Sequence, residues 1–201
     1  MSTHNIAKAE AFIARALSMV GKAKEQAVRD NLTSHLRLIF PDKEWWVEEH
    51  ITVCERNLRY SVSARDKQGF VDNLVGCTAI EYESDISASG VLGHGEQQVR
   101  EYCAGLLQDG VKQELVIGVL SDTVRWNAYE VTGFHASTDA AGTTTVDANS
   151  VTLGLIDTLT LTASDAANAQ LLVKFLRTYL GRQGSRRLSA ETIADDLGLQ
   201  S

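Results

Sequence analysis

Several things are scarce in this chain, and each scarcity excludes a class of protein. Of its 201 residues only three are cysteine, Cys54, Cys77 and Cys103. Few, odd in number and far apart, they suggest neither a disulfide framework nor a CxxC zinc site, and reduced, mostly buried thiols are expected. Long apolar runs are missing as well. None approaches the roughly 20 residues that cross a bilayer, and the opening "MSTHNIAKAEAF" lacks the charged-then-apolar pattern of a secretory signal. A cytoplasmic protein with no membrane partner is expected. Positive charge is also in deficit: 19 Lys and Arg against 26 Asp and Glu leave a formal −7. That argues against a surface gripping nucleic acid all over, because Lys and Arg supply most non-specific affinity for phosphate. A local basic groove is still allowed.

Common catalytic signatures are absent too. Gly90, Gly93 and Gly95 in "SGVLGHGEQQ" are followed by no G-K-[ST] and preceded by no strand with G-x-G-x-x-G spacing, so neither a P-loop nor a dinucleotide site is indicated. The five histidines, His4, His35, His50, His94 and His135, show no metal-ligand spacing, and only His94 is near the acids discussed below. No G-x-S-x-G elbow occurs.

What is present is a composition of 44% hydrophobic and 22% charged residues, ordinary for a globular chain with a substantial core. Residues 5–20 and 22–39 have helical spacing, the second through Val28, Leu32, Leu36 and Ile39, and the sole proline, Pro41, stops it. From Trp45 to about Ser63, "WWVEEHITV" and "LRYSVSA" have strand character. "GVLGHG" is expected as a loop beside a helix over "EQQVREYCAGLLQDG", with Val99, Cys103 and Leu106 inward and Gly110 past its end. "ELVIGVLSD" and "VRWNAYEV" suggest two further strands, the first central. Residues 136–150 read as a loop or hairpin tip. "AANAQLLVKFLRTYLG" predicts a helix facing inward through Leu171, Leu172, Phe175, Leu176 and Tyr179. Together these give an α/β fold, helices flanking a mixed sheet. Residues 1–183 form the expected domain. Residues 184–201 form a further helix or linker, with Ser189 in an imperfect capping box. The basic residues Lys174, Arg177, Arg182, Arg186 and Arg187 either complement a helix end or face DNA.

The chemistry gathers in "GFVDNLVGCTAIEYESDIS", residues 69–87. If Gly76 and Cys77 make a two-residue type II′ hairpin loop, Val75 pairs with Thr78 and Asp72 falls opposite Glu81. Like charges at that spacing destabilise a sheet unless something compensates them, and a divalent cation would do so. Glu83 shares the face of Glu81, while Ile80 and Tyr82 point the other way. All-oxygen ligands suit Mg²⁺, Mn²⁺ or Ca²⁺. Glu25 lies on one helix face with Val28, Arg29, Leu32 and Leu36. It either reaches this site or pairs with Arg29 on the surface.

Asp72, a nine-residue step and then "IEYES" resembles the core of the PD-(D/E)XK nuclease superfamily, especially the N-terminal nuclease domains of restriction-modification enzymes. The likeness spans about residues 22–131. It includes Glu25 in "KEQAVRDNL", Gln98 and Tyr102 in "QVREY", and the strand pair in "GVLSDTVRWNAYEV". The resemblance implies a restriction-endonuclease-like mixed sheet and a Mg²⁺- or Mn²⁺-dependent DNA endonuclease. It implies metal ligation by Asp72, Glu81 and the carbonyl of Tyr82, with Glu83, Glu25 and Gln98 in supporting catalytic roles. Glu83 stands where the family has lysine, an E-x-E variant of E-x-K. "RRLSAETIADDLGLQS" resembles a linker leading to a methyltransferase or specificity region, and a homodimer is compatible with the family. The rival expectation is an inactive module that keeps the fold for binding nucleic acid or protein. A third is a small-molecule enzyme using the same acids.

Overall fold

The computed structural model describes residues 3–41, 44–63 and 65–182. The expected segment 184–201, with Ser189, Arg186 and Arg187, lies outside the described residues. Helix α1 (Thr3–Met19) is followed by α2 (Glu25–Ile39), α3 (Trp45–Thr52), the hairpin β1 (Cys54–Val62) and β2 (Arg65–Val75), and β3 (Thr78–Tyr82). Helix α4 (Val91–Gln108) then leads to β4 (Ile117–Ser121) and β5 (Arg125–Gly133). A small hairpin of β6 (Ala136–Thr138) and β7 (Thr144–Val146), β8 (Thr152–Thr160) and α5 (Ala166–Tyr179) complete the described chain.

Six strands form one mixed sheet in the order β1-β2-β3-β4-β5-β8. Every residue of β3 and β4 is buried. They run parallel, because α4 carries the chain over one face between them, and the other neighbouring pairs are antiparallel. The strand pair expected from residues 118–131 is β4 and β5.

Helices cover both faces of the sheet. Phe12, Leu32, Leu36, Trp46, Ile80, Tyr82, Val119, Trp126, Leu172 and Leu176 belong to the apolar cluster under α1, α2, α3 and α5. Leu58, Val71, Leu74, Ala79, Val99, Cys103, Leu106 and Leu120 belong to the cluster under α4. Each fully buried Leu or Ile contributes about 1.5–3 kcal/mol over leaving it in water, so the two cores, rather than propensity, set the arrangement. The expected α/β fold, a mixed sheet flanked by helices, is the observed one. Among the described residues no helix is long and apolar enough to cross a membrane.

Three local expectations are corrected. "WWVEEHIT" is a helix, not a strand: Trp46, Val47 and His50 are buried at helical spacing, and packing against the sheet overrides the β-propensity of Trp and Val. The glycine stretch is the first turn of α4 rather than a loop, starting after Gly90 at φ +82. Gly95 is needed inside the helix, because a Cβ there would stand 2.5 Å from Leu120 Cδ1. Leu171 is 52% exposed, so the inward face of α5 is Leu172, Phe175 and Leu176 without it. Strand β8 was not anticipated. It is an edge strand exposed along most of its length, and its Thr, Gly and Asp interrupt the apolar alternation. Residues 136–150 do form a hairpin tip, and Val99, Cys103 and Leu106 do face inward.

Candidate acidic functional site

The site begins with the β2–β3 turn. Gly76 takes φ +57, the sign a type II′ turn needs at its first central residue. Val75 pairs with Thr78, Leu74 with Ala79 and Asn73 with Ile80. The ladder runs as the turn chemistry implied up to that rung, one step short of Asp72 and Glu81. There the regular pairing ends: Asp72 Oδ2 accepts the Tyr82 backbone N–H at 2.8 Å. The Glu83 N–H donates to Ser121 O at 2.9 Å, prolonging the β3–β4 alignment and fixing the segment that carries Glu83.

Glu81 and Glu83 are 6% and 5% exposed. Burial, then the charges of Asp72 and Glu83, push the Glu81 carboxyl up to about 9. Burial, then Glu25, push Glu83 up to about 7, against an opposing pull from His94. Asp72 is also raised, because burial outweighs the Tyr82 N–H and Arg29. Glu25 and Asp72 both raise Glu81 and Glu83, and Glu25 raises Asp72, so the four acids form one electrostatic cluster contributed by α2, β2 and the end of β3. Glu25 reaches it because the α1–α2 connection is tied down: Gly21, at φ +70, donates its N–H to Ser84 O at 2.9 Å. Glu25 and His94 are exposed, which opens the cluster to solvent on their side.

Arg29 gives the cluster its own cation. Buried on α2, it contacts Asp72 Oδ1 at 3.2 Å and Glu55 Oε1 at 3.0 Å, and donates to Gln26 Oε1 at 2.6 Å. The surface alternative for Arg29 therefore gives way to an inward one. Glu55 adopts φ +53, a left-handed conformation that costs a residue bearing a Cβ of order 1 kcal/mol or more. It sits where β1 passes Asp72, between the pairs Cys54↔Asn73 and Arg56↔Val71.

Behind the acids, Tyr102 on α4 lies close enough to Glu81 to moderate the rise of its carboxyl, and Gln98 lies beside Tyr102. The Tyr102 hydroxyl donates to Phe70 O at 3.1 Å. Gln98 thus joins the site through Tyr102. On the opposite face of β3, Tyr82 buries its ring against Trp126 and its hydroxyl lies 2.9 Å from His50 Nε2. Burial, then Arg29, lower His50 to about 3, so it is neutral.

Asp72, Glu81, Glu83 and Glu25 are therefore brought together, Gln98 is one side chain removed, and Tyr82 lends the strand end on which the acids hang. Sequence reasoning passed over Arg29 as a site residue and did not weigh Glu55. An arginine on the apolar face of α2, in step with Val28 and Leu32, was the available signal for the first. The left-handed turn of Glu55 had none.

A hard divalent cation fits this donor set on two grounds. Glu81 Oε2 and Glu83 Oε1 are buried with no hydrogen-bond partner, and all the converging side-chain donors are carboxylate oxygens. Among the described residues, however, no three His, Cys, Asp or Glu side chains stand in a ready-made ligating arrangement. Compared with known proteins, the chain matches no family model, no curated protein and no solved structure.

Proposed function

We propose that the protein is a metal-dependent phosphodiesterase that hydrolyses DNA, an E-x-E relative of the PD-(D/E)XK nucleases. The observation that carries this reading is the pair of buried, unpartnered carboxylate oxygens on Glu81 and Glu83, set beside Asp72 and opened to solvent near Glu25. Isolated buried anions are costly, and a protein that keeps several together gains from a cation among them. Asp72, Glu81 and the carbonyl of Tyr82 would hold Mg²⁺ or Mn²⁺, which would polarise the phosphate and acidify a water.

The chain's own residues supply the remaining work. Tyr82 N–H and Arg29 fix the Asp72 carboxylate, and Tyr102, anchored on Phe70 O, stands beside Glu81 with Gln98 next to it. Glu83, poised near neutrality, accepts the proton of the attacking water. Glu25 adds negative charge at the open side. Attack at phosphorus breaks one P–O ester bond and leaves a phosphate monoester and a free hydroxyl. The buried cysteines Cys77 and Cys103 are in no disulfide among the described residues, and a reducing, cytoplasmic setting belongs to this reading. Joining to a methyltransferase or specificity region, and a homodimer, belong to the same reading.

A specific observation favours a second reading, a non-catalytic nucleic-acid or protein-binding module. Glu83 stands where the nucleases have lysine, and Arg29 already neutralises one oxygen of Asp72. Incubation of supercoiled plasmid with the protein and Mg²⁺ or Mn²⁺ separates the two readings. The enzyme reading expects nicking or linearisation that Asp72→Ala and Glu81→Ala both abolish. Intact plasmid with retained DNA binding establishes the module. Neither activity, with a small phosphodiester hydrolysed instead, moves the site to small molecules.

A further inference from the structure

Away from the acidic cluster, a cleft of about 450 Å³ opens where the outer end of the β1–β2 hairpin meets the small β6–β7 sheet. That is the volume of a small-molecule site. Asp66 on its wall is six residues along β2 from Asp72, which sets the two acids about 20 Å apart along the strand. The walls follow from register: Ser61 pairs with Asp66 across the hairpin, Ser137 pairs with Thr145 across the small sheet, and Ser61 bridges to Asp147 at the outer edge of β1. These five side chains line the cleft, and His135 completes its polar wall.

The walls are braced. Asp147 Oδ1 accepts the N–H groups of Asn149 at 3.0 Å and Ser63 at 3.3 Å, Asn149 Nδ2 donates to Ser63 Oγ at 3.1 Å, and the His135 N–H donates to Ser150 Oγ at 2.9 Å. The groups facing the cavity are left over. Through their side chains, Ser61, Asp66, His135, Ser137 and Thr145 hydrogen-bond no described residue. Ser61 is only 2% exposed, so its hydroxyl is a buried polar group turned to the cleft, and such a group costs free energy until something bonds it. Asp66 and Asp147 carry the carboxylate charge of the lining. Arg59, on the next rung of the same face, stands outside it.

We propose that this cleft binds a small organic diammonium ion, a molecule of the alkyl diamine or polyamine class, with one ammonium on Asp66 and another on Asp147. The chemistry selects this occupant. An ammonium brings three N–H donors and no acceptor, which suits two carboxylates and the free hydroxyls of Ser61, Ser137 and Thr145. A neutral polyol would leave both carboxylates uncompensated, and a phosphate or nucleotide would meet like charge. The volume is that of an organic molecule rather than a single bare ion. This inference stands apart from the phosphodiesterase reading and survives its failure.

Isothermal titration calorimetry of the full chain with putrescine, butylamine and the matching terminal butanediol, at neutral pH and low salt, tests it. The three share one carbon skeleton and carry two, one and no charges. Affinity should fall in that order, and added salt should weaken putrescine. Asp66→Asn and Asp147→Asn should each raise the putrescine Kd about 3- to 10-fold, between the yield of an exposed ion pair and that of a desolvated one. Asp66 is exposed and its side chain unbonded, and asparagine keeps the oxygen that Asp147 offers to the two backbone N–H groups, so both variants should fold. Unchanged melting curves without amine confirm it. Glu81→Gln separates the two sites: putrescine binding that falls in this variant and not in Asp66→Asn puts the amine in the acidic cluster and overturns the proposal. Binding unchanged in both aspartate variants overturns it too, as do equal binding of the diol, displacement of the amine by equimolar Mg²⁺, and the absence of saturable binding.

Discussion

Asp72 Oδ2 accepts the Tyr82 backbone N–H at 2.8 Å, so the acid of one strand replaces a main-chain acceptor for its neighbour. This side-chain bond locks Asp72 onto the end of β3 and leaves Oδ1 to Arg29. Glu81, one residue before Tyr82, is thereby held at a fixed distance from Asp72 whatever its protonation.

Removing Arg29 should be costly. Its guanidinium is buried, and the Asp72 side chain it neutralises is 26% exposed. Breaking a buried pair from one side costs about 3–5 kcal/mol when both partners are dry. The openness of Glu55 and the partial exposure of Asp72 reduce the expectation for Arg29→Met to about 1–3 kcal/mol. Arg29→Lys should recover less than half, because an ammonium cannot bridge Asp72, Glu55 and Gln26 with a planar fork. Urea denaturation measures both, and an unchanged midpoint for Arg29→Met contradicts the bridging role.

The carboxyls also dictate a pH dependence. Glu81 and Glu83 hold their protons up to about 9 and about 7 in the folded chain, against an ordinary value of 4.5. The folded state therefore binds more protons than the unfolded one between these values, and stability falls as pH rises. This contribution is fully present below 4.5 and is lost as pH rises through 7 and then 9. His50, lowered from 6.5 to about 3, acts in the opposite sense, but only below about 6.5. Melting temperatures of the metal-free protein from about pH 7 to 9 should decline, and Glu81→Gln should flatten the decline. Millimolar Mg²⁺ or Mn²⁺ should raise the melting temperature more at pH 9 than at pH 7, since deprotonated carboxylates bind the ion. A melting temperature indifferent to both pH and metal would remove the basis for a cation site.

Gly95→Ala should invert the usual helix rule. Alanine ordinarily gains about 1 kcal/mol over glycine inside a helix. Here the new methyl would meet Leu120 Cδ1 at 2.5 Å and Glu83 Oε1 at 3.3 Å. Overpacking of this kind costs about 1–3 kcal/mol, so a net loss is expected in thermal unfolding. Leu120→Val, which withdraws the clashing methyl, should make the double variant less destabilised than the sum of the two singles. Strict additivity would show that α4 does not press on β4 at this point.

How far the sequence alone reached depended on the range of the interactions involved. The hairpin register was legible because a two-residue turn at Gly76–Cys77 forces Val75 onto Thr78, Leu74 onto Ala79 and Asn73 onto Ile80, which carries Asp72 toward Glu81. The helices α1, α2, α4 and α5 were legible, because each repeats apolar residues at its own period over at least three turns. Both are local rules, carried by neighbours in the chain.

Tertiary structure decided what no local rule contains. Trp45–Thr52 became helical because Trp46 and His50 had a sheet face to bury against, and eight residues are too few for periodicity to outvote β-propensity. Glu55 took its left-handed turn beside an arginine 26 positions earlier. Above all, the cation that answers Asp72 from within the protein is Arg29, 43 residues upstream. Sequence brought Asp72, Glu81 and Glu83 near one turn and offered Glu25 as a candidate; only the packing of α2 onto the sheet decided that Glu25 joins them and that Arg29 supplies the positive charge, because contacts between distant segments are fixed by the whole core and not by any one stretch of it.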